Sequence, residues 1–275
     1  MKHKIKFIKK SFSPVRRIMS DFNWVAGRNP SMIGVIEPDV TKIRTIFKEF
    51  EEKTDTKISF TAWVVKCVSQ VVCEHKDLQT FRKGRKWTII PESVDVGIMV
   101  ERTAKDIKVP VSYVIRNADK KNLLEIHHEI REVQSKPVEE KDQFIGKASK
   151  FVGFYLIVPR FIRRYIIRKI ISNGKYISSN AGTVGVTAVG MHGKMGGWVF
   201  PFRVRTLDIG VGGISQRPYL EKGRIAIHEH LNMTILIDHD IIDGGPATRF
   251  VGRLVELMEN AFSTDDIHSD QRAIK

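Results

Sequence analysis

Cysteine is scarce in this chain of 275 residues: Cys67 and Cys73 are the only two, six positions apart within one helical pattern. That spacing puts them on different turns and faces, so they read as reduced core thiols rather than a disulfide, as expected of a cytoplasmic protein. Cys, His and carboxylates do not fall at the intervals of a closed zinc site, and no metal is expected. Long apolar runs are missing too. Nothing approaches the run of about 18 apolar residues that a conventional membrane span needs. The N-terminus, Met1-Lys2-His3-Lys4-Ile5-Lys6-Phe7, is basic but lacks the apolar centre and small-residue cleavage site of a secretory signal. Acids are in deficit, with 31 Asp and Glu against 46 Lys and Arg and a formal net charge of +15. Such a surplus suits nucleic acid, an anionic membrane surface or a polyanionic small molecule. No nucleic-acid module is recognisable and the basic residues are spread along the chain, which argues against the first of these.

What is present is a mixed α/β pattern with 42% apolar residues, enough to bury a large core. The spacing predicts helices over 15–26, 41–53, 59–74 and 117–134. Strands are predicted over 31–38, 87–90, 94–100 and 108–113, then as short glycine-broken pieces over 182–189, 206–211, 225–229 and 232–238. A last helix is predicted over 246–260. No linker divides the chain, so 1–275 is read as one domain with its core at about 14–262 and a polar tail over 263–275. The stretch 144–176 is basic and apolar and reads as an insertion. Within it, 161–171 forms a helix whose apolar and basic residues fall on partly separate faces. Two readings stay open for that helix: packing on its own domain with a solvated basic face, or docking on an anionic membrane surface.

The segment Ile237-Asp238-His239-Asp240-Ile241-Ile242-Asp243-Gly244-Gly245 carries the strongest chemical signal. It follows an apolar run that reads as a buried strand and precedes the last helix. A histidine at a strand end can act as a general base, because its ordinary pKa lies near neutrality. A carboxylate four residues on, at a turn that Gly244 permits, would fix the surrounding backbone. The spacing His-x-x-x-Asp-Gly also arises by chance, and taken alone it is only suggestive.

Several further motifs occur in order with it. Asp208-Ile209-Gly210-Val211-Gly212-Gly213-Ile214, then Arg217-Pro218, precede the histidine, and Pro246-Ala247 and Arg249-Phe250 follow it. Earlier lie Val94-Asp95-Val96-Gly97-Ile98-Met99-Val100, Val109-Pro110-Val111 and Asn117-Ala118-Asp119-Lys120-Lys121-Asn122-Leu123. Together these resemble the catalytic domain of the 2-oxoacid dehydrogenase dihydrolipoamide acyltransferases. The likeness is strong over about 91–134 and 180–262, fainter over 14–90, and weak around 135–178. It implies a chloramphenicol acetyltransferase-like fold, a mixed sheet flanked by helices, and a homotrimer or a multiple of trimers.

The resemblance also implies a CoA-dependent acyltransferase. The acyl group would move between coenzyme A and a thiol or hydroxyl acceptor, with a lipoyl group on a separate protein as the model acceptor. The family's catalytic histidine falls on His239 and the aspartate of its motif on Asp243. Its hydroxyl, set in a glycine-bounded strand, falls on Thr187, which otherwise reads as an ordinary β-branched strand residue. An arginine of the first helix, Arg16 or Arg17, would support the aspartate. His192 reads as a turn residue. Two departures bear on the acceptor: Asp240 stands where the family usually has arginine, and Ala188-Val189 where it usually has Asn-Leu. The segments that would bind this domain into a dehydrogenase complex are not recognised in the sequence. Two other readings therefore remain: a non-catalytic oligomeric scaffold of the same fold, and a membrane-peripheral acyltransferase with a small-molecule or lipid acceptor.

Overall fold

The computed structural model describes residues 7–84, 86–104, 107–136, 155–188, 196–221, 223–264 and 267. Its elements are α1 (Pro14–Ala26), β1 (Ser31–Ile36), α2 (Thr41–Thr54), α3 (Phe60–Glu74), β2 (Phe81–Lys83), β3 (Trp87–Ile89), β4 (Val96–Ala104), β5 (Ile107–Ile115) and α4 (Leu123–Ser135). Then follow α5 (Arg160–Ile171), α6 (Gly174–Ala181), β6 (Val184–Ala188), β7 (Leu207–Glu221), β8 (Arg224–Asp238) and α7 (Gly244–Glu259). Six strands form a mixed sheet in the order β1-β8-β7-β6-β4-β5, and β2 pairs with β3 in a separate hairpin. The short β6 runs parallel to both β4 and β7, and the remaining pairs are antiparallel. The expected mixed sheet flanked by helices is thus the observed architecture.

Local chemistry sets the helix starts. Ser13 caps α1 by accepting from the Arg16 N–H at 3.3 Å, and Pro14 stands where a missing donor costs nothing. Ser59 caps α3 in the same way through the Ala62 N–H. The long apolar run behind that cap buries every side chain from Ala62 to Ser69, which places α3 at the centre of the core. Trp63, fully buried, ties α3 to the chain's far end by donating to the Phe262 carbonyl at 3.0 Å. One continuous cluster joins α2, α3, α4 and α7 to the inner face of β4, β6, β7 and β8. Cys67 and Cys73 are free thiols, and burial raises the Cys67 thiol far above its ordinary range.

Three differences from the sequence reading have physical causes. The helix expected from Asn117 begins at Leu123, because Asn122 and Glu125 form a reciprocal capping box at 2.8 Å each way. Asp119 instead accepts from the Val94 N–H. The short strands expected over 206–238 are one pair of 15-residue strands, β7 and β8, extending well beyond the rest of the sheet. Gly210 and Gly212 do not break β7. A Cβ at either would collide with backbone carbonyls of Val199 and Gly197, so these glycines let the 196–201 segment lie flat against the strand.

The third difference concerns the basic helix. Arg163 and Arg164 do not join its solvated cations, Arg168 and Lys169. They turn inwards to the buried carboxylate of Asp21 on α1, at 2.9 and 3.4 Å, and Arg160, itself exposed, reaches the same carboxylate at 3.3 Å. Trp24, one turn on, is stacked between Arg28 at 3.5 Å and Arg164 at 3.9 Å. His192 and most of the 263–275 tail lie outside the described residues, as does 144–154.

His127 on α4 is buried, and its Nδ1 accepts the Ser59 backbone N–H at 3.0 Å, which fixes the neutral ring. Burial, helped by nearby Arg131 and His128, pushes its pKa down to about 4. The unfolded chain takes up this proton near pH 6.5 and the folded chain only near 4, so the contribution is complete above 6.5 and is lost as pH falls between the two. Urea midpoints should fall across that window by an amount worth on the order of 2 kcal/mol. The His127→Gln variant, which keeps an acceptor for Ser59, should show a flatter decline. An equally steep decline in the variant would assign the pH dependence to other groups.

Candidate active site

His239 follows directly on the last residue of β8, in the turn between that strand and α7. Its ring is exposed and makes no hydrogen bond among the described residues. The turn beneath it is held tightly. The Asp238 N–H donates to the Thr206 carbonyl at 2.9 Å, and the Asp238 carbonyl accepts from Ile241 and Ile242 at 3.2 and 2.9 Å. The Asp238 carboxylate accepts the Asp240 N–H at 3.1 Å and pairs with Arg203 Nη1 at 2.7 Å.

Arg203 is 5% exposed and uses its whole guanidinium. Besides Asp238, it donates from Nε to Ser31 Oγ at 2.9 Å, from Nη1 to the Arg205 carbonyl at 2.8 Å and from Nη2 to the Pro30 carbonyl at 3.0 Å. One rigid cation thus joins the start of β1, the approach to β7 and the end of β8. On the other side of the turn, Asp240 pairs with Arg82 of β2 at 3.1 Å. The departure at position 240 therefore has a local partner, with the acid on the turn and the base on the β2–β3 hairpin. Asp240, Asp243, Arg82, Lys86 and Trp87 line a recess of about 470 Å³ beside the turn.

Asp243 is exposed and stands at the N-cap of α7 without a side-chain capping bond. Gly244 opens the helix, with nothing within 4 Å of where a Cβ would be. Neither Arg16 nor Arg17 reaches Asp243 within one chain. Both are exposed, and Arg17 donates to the Phe12 carbonyl at 3.2 Å, because α1 packs on α5 rather than on α7. The arginines actually paired at this turn are Arg203 and Arg82.

Thr187 lies on β6, where Gly185 makes room for an ion pair between Arg205 and Asp208 at 2.6 Å. It forms part of the wall of a cleft of about 1020 Å³. Phe47, Ile58, Phe60 and Ile98 supply apolar lining, and Arg44, Lys48, Lys57 and Arg131 stand against Glu51, Glu101 and Glu229 around it. The size and mixed lining suit a long, flexible ligand with an anionic end. Among the described residues no group of acids, histidines and cysteines could hold a metal ion.

Within one chain, His239 and Thr187 are far apart. Thr187 pairs in register with Gly210, and Gly210 with Thr234, five residues before His239 and two strands away. Ordinary strand spacing then puts the two residues roughly 15–20 Å apart. Sequence reasoning missed Arg203, Arg82 and the pairing of Asp238, because each acts through a partner distant along the chain.

This sheet, with its short parallel central strand and its histidine at the end of β8, defines a chloramphenicol acetyltransferase-like fold. The solved chloramphenicol acetyltransferase structure matches with a TM-score of 0.50 and 12% identity, over 88% of this chain and 94% of that one. A probable dihydrolipoamide acetyltransferase from Listeria monocytogenes matches with a TM-score of 0.64 and 22% identity, over 94% and 96%. In sequence, the family described as 2-oxoacid dehydrogenases acyltransferase (catalytic domain) matches residues 7–143 and 173–264. The chain belongs to that family. The lipoamide acyltransferase component of the branched-chain α-keto acid dehydrogenase complex of Bacillus subtilis is 25% identical over 232 residues, 82% of this chain and 46% of that protein. The chain spans about half the length of the curated relatives it matches.

Removing the Arg203 guanidinium would leave Asp238 half-buried without its cation and free three further acceptors. Arg203→Met is expected to cost roughly 3 kcal/mol and about 5 °C of melting temperature. Arg17→Met, on an exposed site, should shift it by less than about 1 °C. Equal shifts for the two would deny Arg203 its role in fixing the turn.

Proposed function

We propose that the chain is a CoA-dependent acyltransferase of the His-base type, active as a trimer or a multiple of trimers, and that a dihydrolipoyl thiol is its acceptor. The observation that carries this reading is the separation of two free groups. His239 is a solvent-facing imidazole on a braced turn, and Thr187 is a hydroxyl in a cleft wall, with neither engaged by a described partner. Two such groups some 15–20 Å apart in one chain serve one reaction only if the His239 of one subunit meets the Thr187 of its neighbour.

The chemistry then follows from the residues. Neutral His239 takes the proton of the acceptor thiol as its sulfur attacks the thioester carbonyl. Thr187 donates to the oxyanion of the tetrahedral intermediate, a contact typically worth about 3 kcal/mol. Collapse expels the coenzyme A thiolate, which recovers the proton from the imidazolium. No acyl-enzyme forms, because the acceptor itself is the nucleophile. Asp243 is not a proton carrier here; with Gly244 it shapes the start of α7 behind the histidine. The cleft beside Thr187 takes the pantetheine arm along its apolar wall, with phosphates near Lys48, Lys57 and Arg131.

Mixing tests the shared site. His239→Ala and Thr187→Ala proteins, each nearly inactive in coenzyme A release, are unfolded together and refolded at equal ratio. A site built between two subunits should then recover about a quarter of wild-type activity, since one pairing in four restores both groups. Activity no higher than that of the separate variants would place both groups in one subunit, or would deny Thr187 its part.

A further inference from the structure

The charge surplus is not opposed evenly along the chain. Between Asp142 and Asp208 there are eleven Lys and Arg and no Asp or Glu. Helix α5 lies in this region, and its amphipathy is inverted. Arg163 and Arg164 turn inwards to Asp21, the exposed Arg160 reaches the same carboxylate, and Ile167 is the one buried side chain of the helix. The large apolar groups face out: Phe161 is 74% exposed, Tyr165 61%, Ile166 42% and Ile170 41%, and Ile157 just ahead of the helix is 81% exposed. Arg168 and Lys169 are exposed on the same outer side, with Lys169 Nζ 5.5 Å from the Tyr165 ring.

A contiguous face of aromatic and aliphatic groups is unfavourable in water and calls for an apolar occupant. The cations around it, with no acid in the segment to offset them, restrict what that occupant is. A second copy docked symmetrically would bring the same cations face to face, which is repulsive. We propose that the outer face of α5 docks in the plane of an anionic membrane surface. Phe161, Tyr165, Ile166 and Ile170 enter the headgroup–acyl boundary, and Arg168, Lys169 and Lys175 meet lipid phosphates. Attachment is peripheral, since no described helix is long and apolar enough to cross a bilayer. The inward arginines take no part; Asp21 holds them. This proposal does not depend on the acyl-transfer reading.

The test is co-sedimentation of the full chain with vesicles of phosphatidylcholine containing about three parts in ten phosphatidylserine, at low salt and at about 0.5 M salt. Binding is expected at low salt on the mixed vesicles, with loss at high salt and little binding to phosphatidylcholine alone. The exposed-face variant Phe161→Ser/Tyr165→Ser/Ile166→Ser should lower partitioning at least about tenfold. Arg168→Gln/Lys169→Gln should lower it by a similar factor. Circular dichroism and assembly mass should remain unchanged in both variants. Absence of binding at low salt, or unchanged partitioning of the apolar variant, would overturn the proposal. A fall in assembly mass in that variant would overturn it too, by assigning the face to contacts between copies of this chain.

Discussion

The geometry of the candidate site rests on one buried ion pair. Arg203 and Asp238 lie 2.7 Å apart at the point where β1, β8 and the approach to β7 converge, and the residue after Asp238 is His239. Burying a guanidinium is costly unless each donor finds a partner and a carboxylate balances the charge. Here the three strand ends supply those partners. The pair therefore does two things at once. It closes the end of the sheet, and it fixes the backbone that aims the histidine. The turn's outer side is steadied separately by Asp240 and Arg82, so His239 is held between two ion pairs while its ring makes no hydrogen bond among the described residues.

The proposed division of the site between subunits starts from the sheet. Its strands hold His239 at the end of β8 and Thr187 near the other end of β6, and no side-chain motion closes a gap of roughly 15–20 Å. Glycines in β6 and β7 serve this arrangement. Gly185 admits the Arg205–Asp208 pair behind Thr187, and Gly210 and Gly212 admit the 196–201 segment against β7. Each glycine is a place where another group lies too close for a side chain.

What was legible in the sequence was local or periodic. Helix α3 followed from Ser59 and the apolar run behind it, and the turn that carries His239 from an apolar strand ending in a histidine. The family motifs identified the fold, which backbone patterning alone would not have done. What was not legible depends on distant partners. The glycines of β7 read as strand breaks, because nothing local says that Val199 and Gly197 lie against them. That Arg163 and Arg164 turn inwards was not readable, because Asp21, 142 residues before Arg163, decides which side does so. A helical pattern shows that two faces exist and leaves the choice between them to the rest of the molecule. Arg16 and Arg17 fell short within one chain for the same reason, since the packing of α1 on α5 was not visible.

The most direct test of the central claim is coenzyme A release from acetyl-, propionyl- and longer acyl-coenzyme A with dihydrolipoamide as acceptor, comparing wild type with His239→Ala. Steady turnover by the wild type, reduced on the order of a thousandfold in the variant without a change in assembly mass, is the expected result. Turnover that survives the loss of His239, or a wild type that releases no coenzyme A from any of these thioesters, would contradict it.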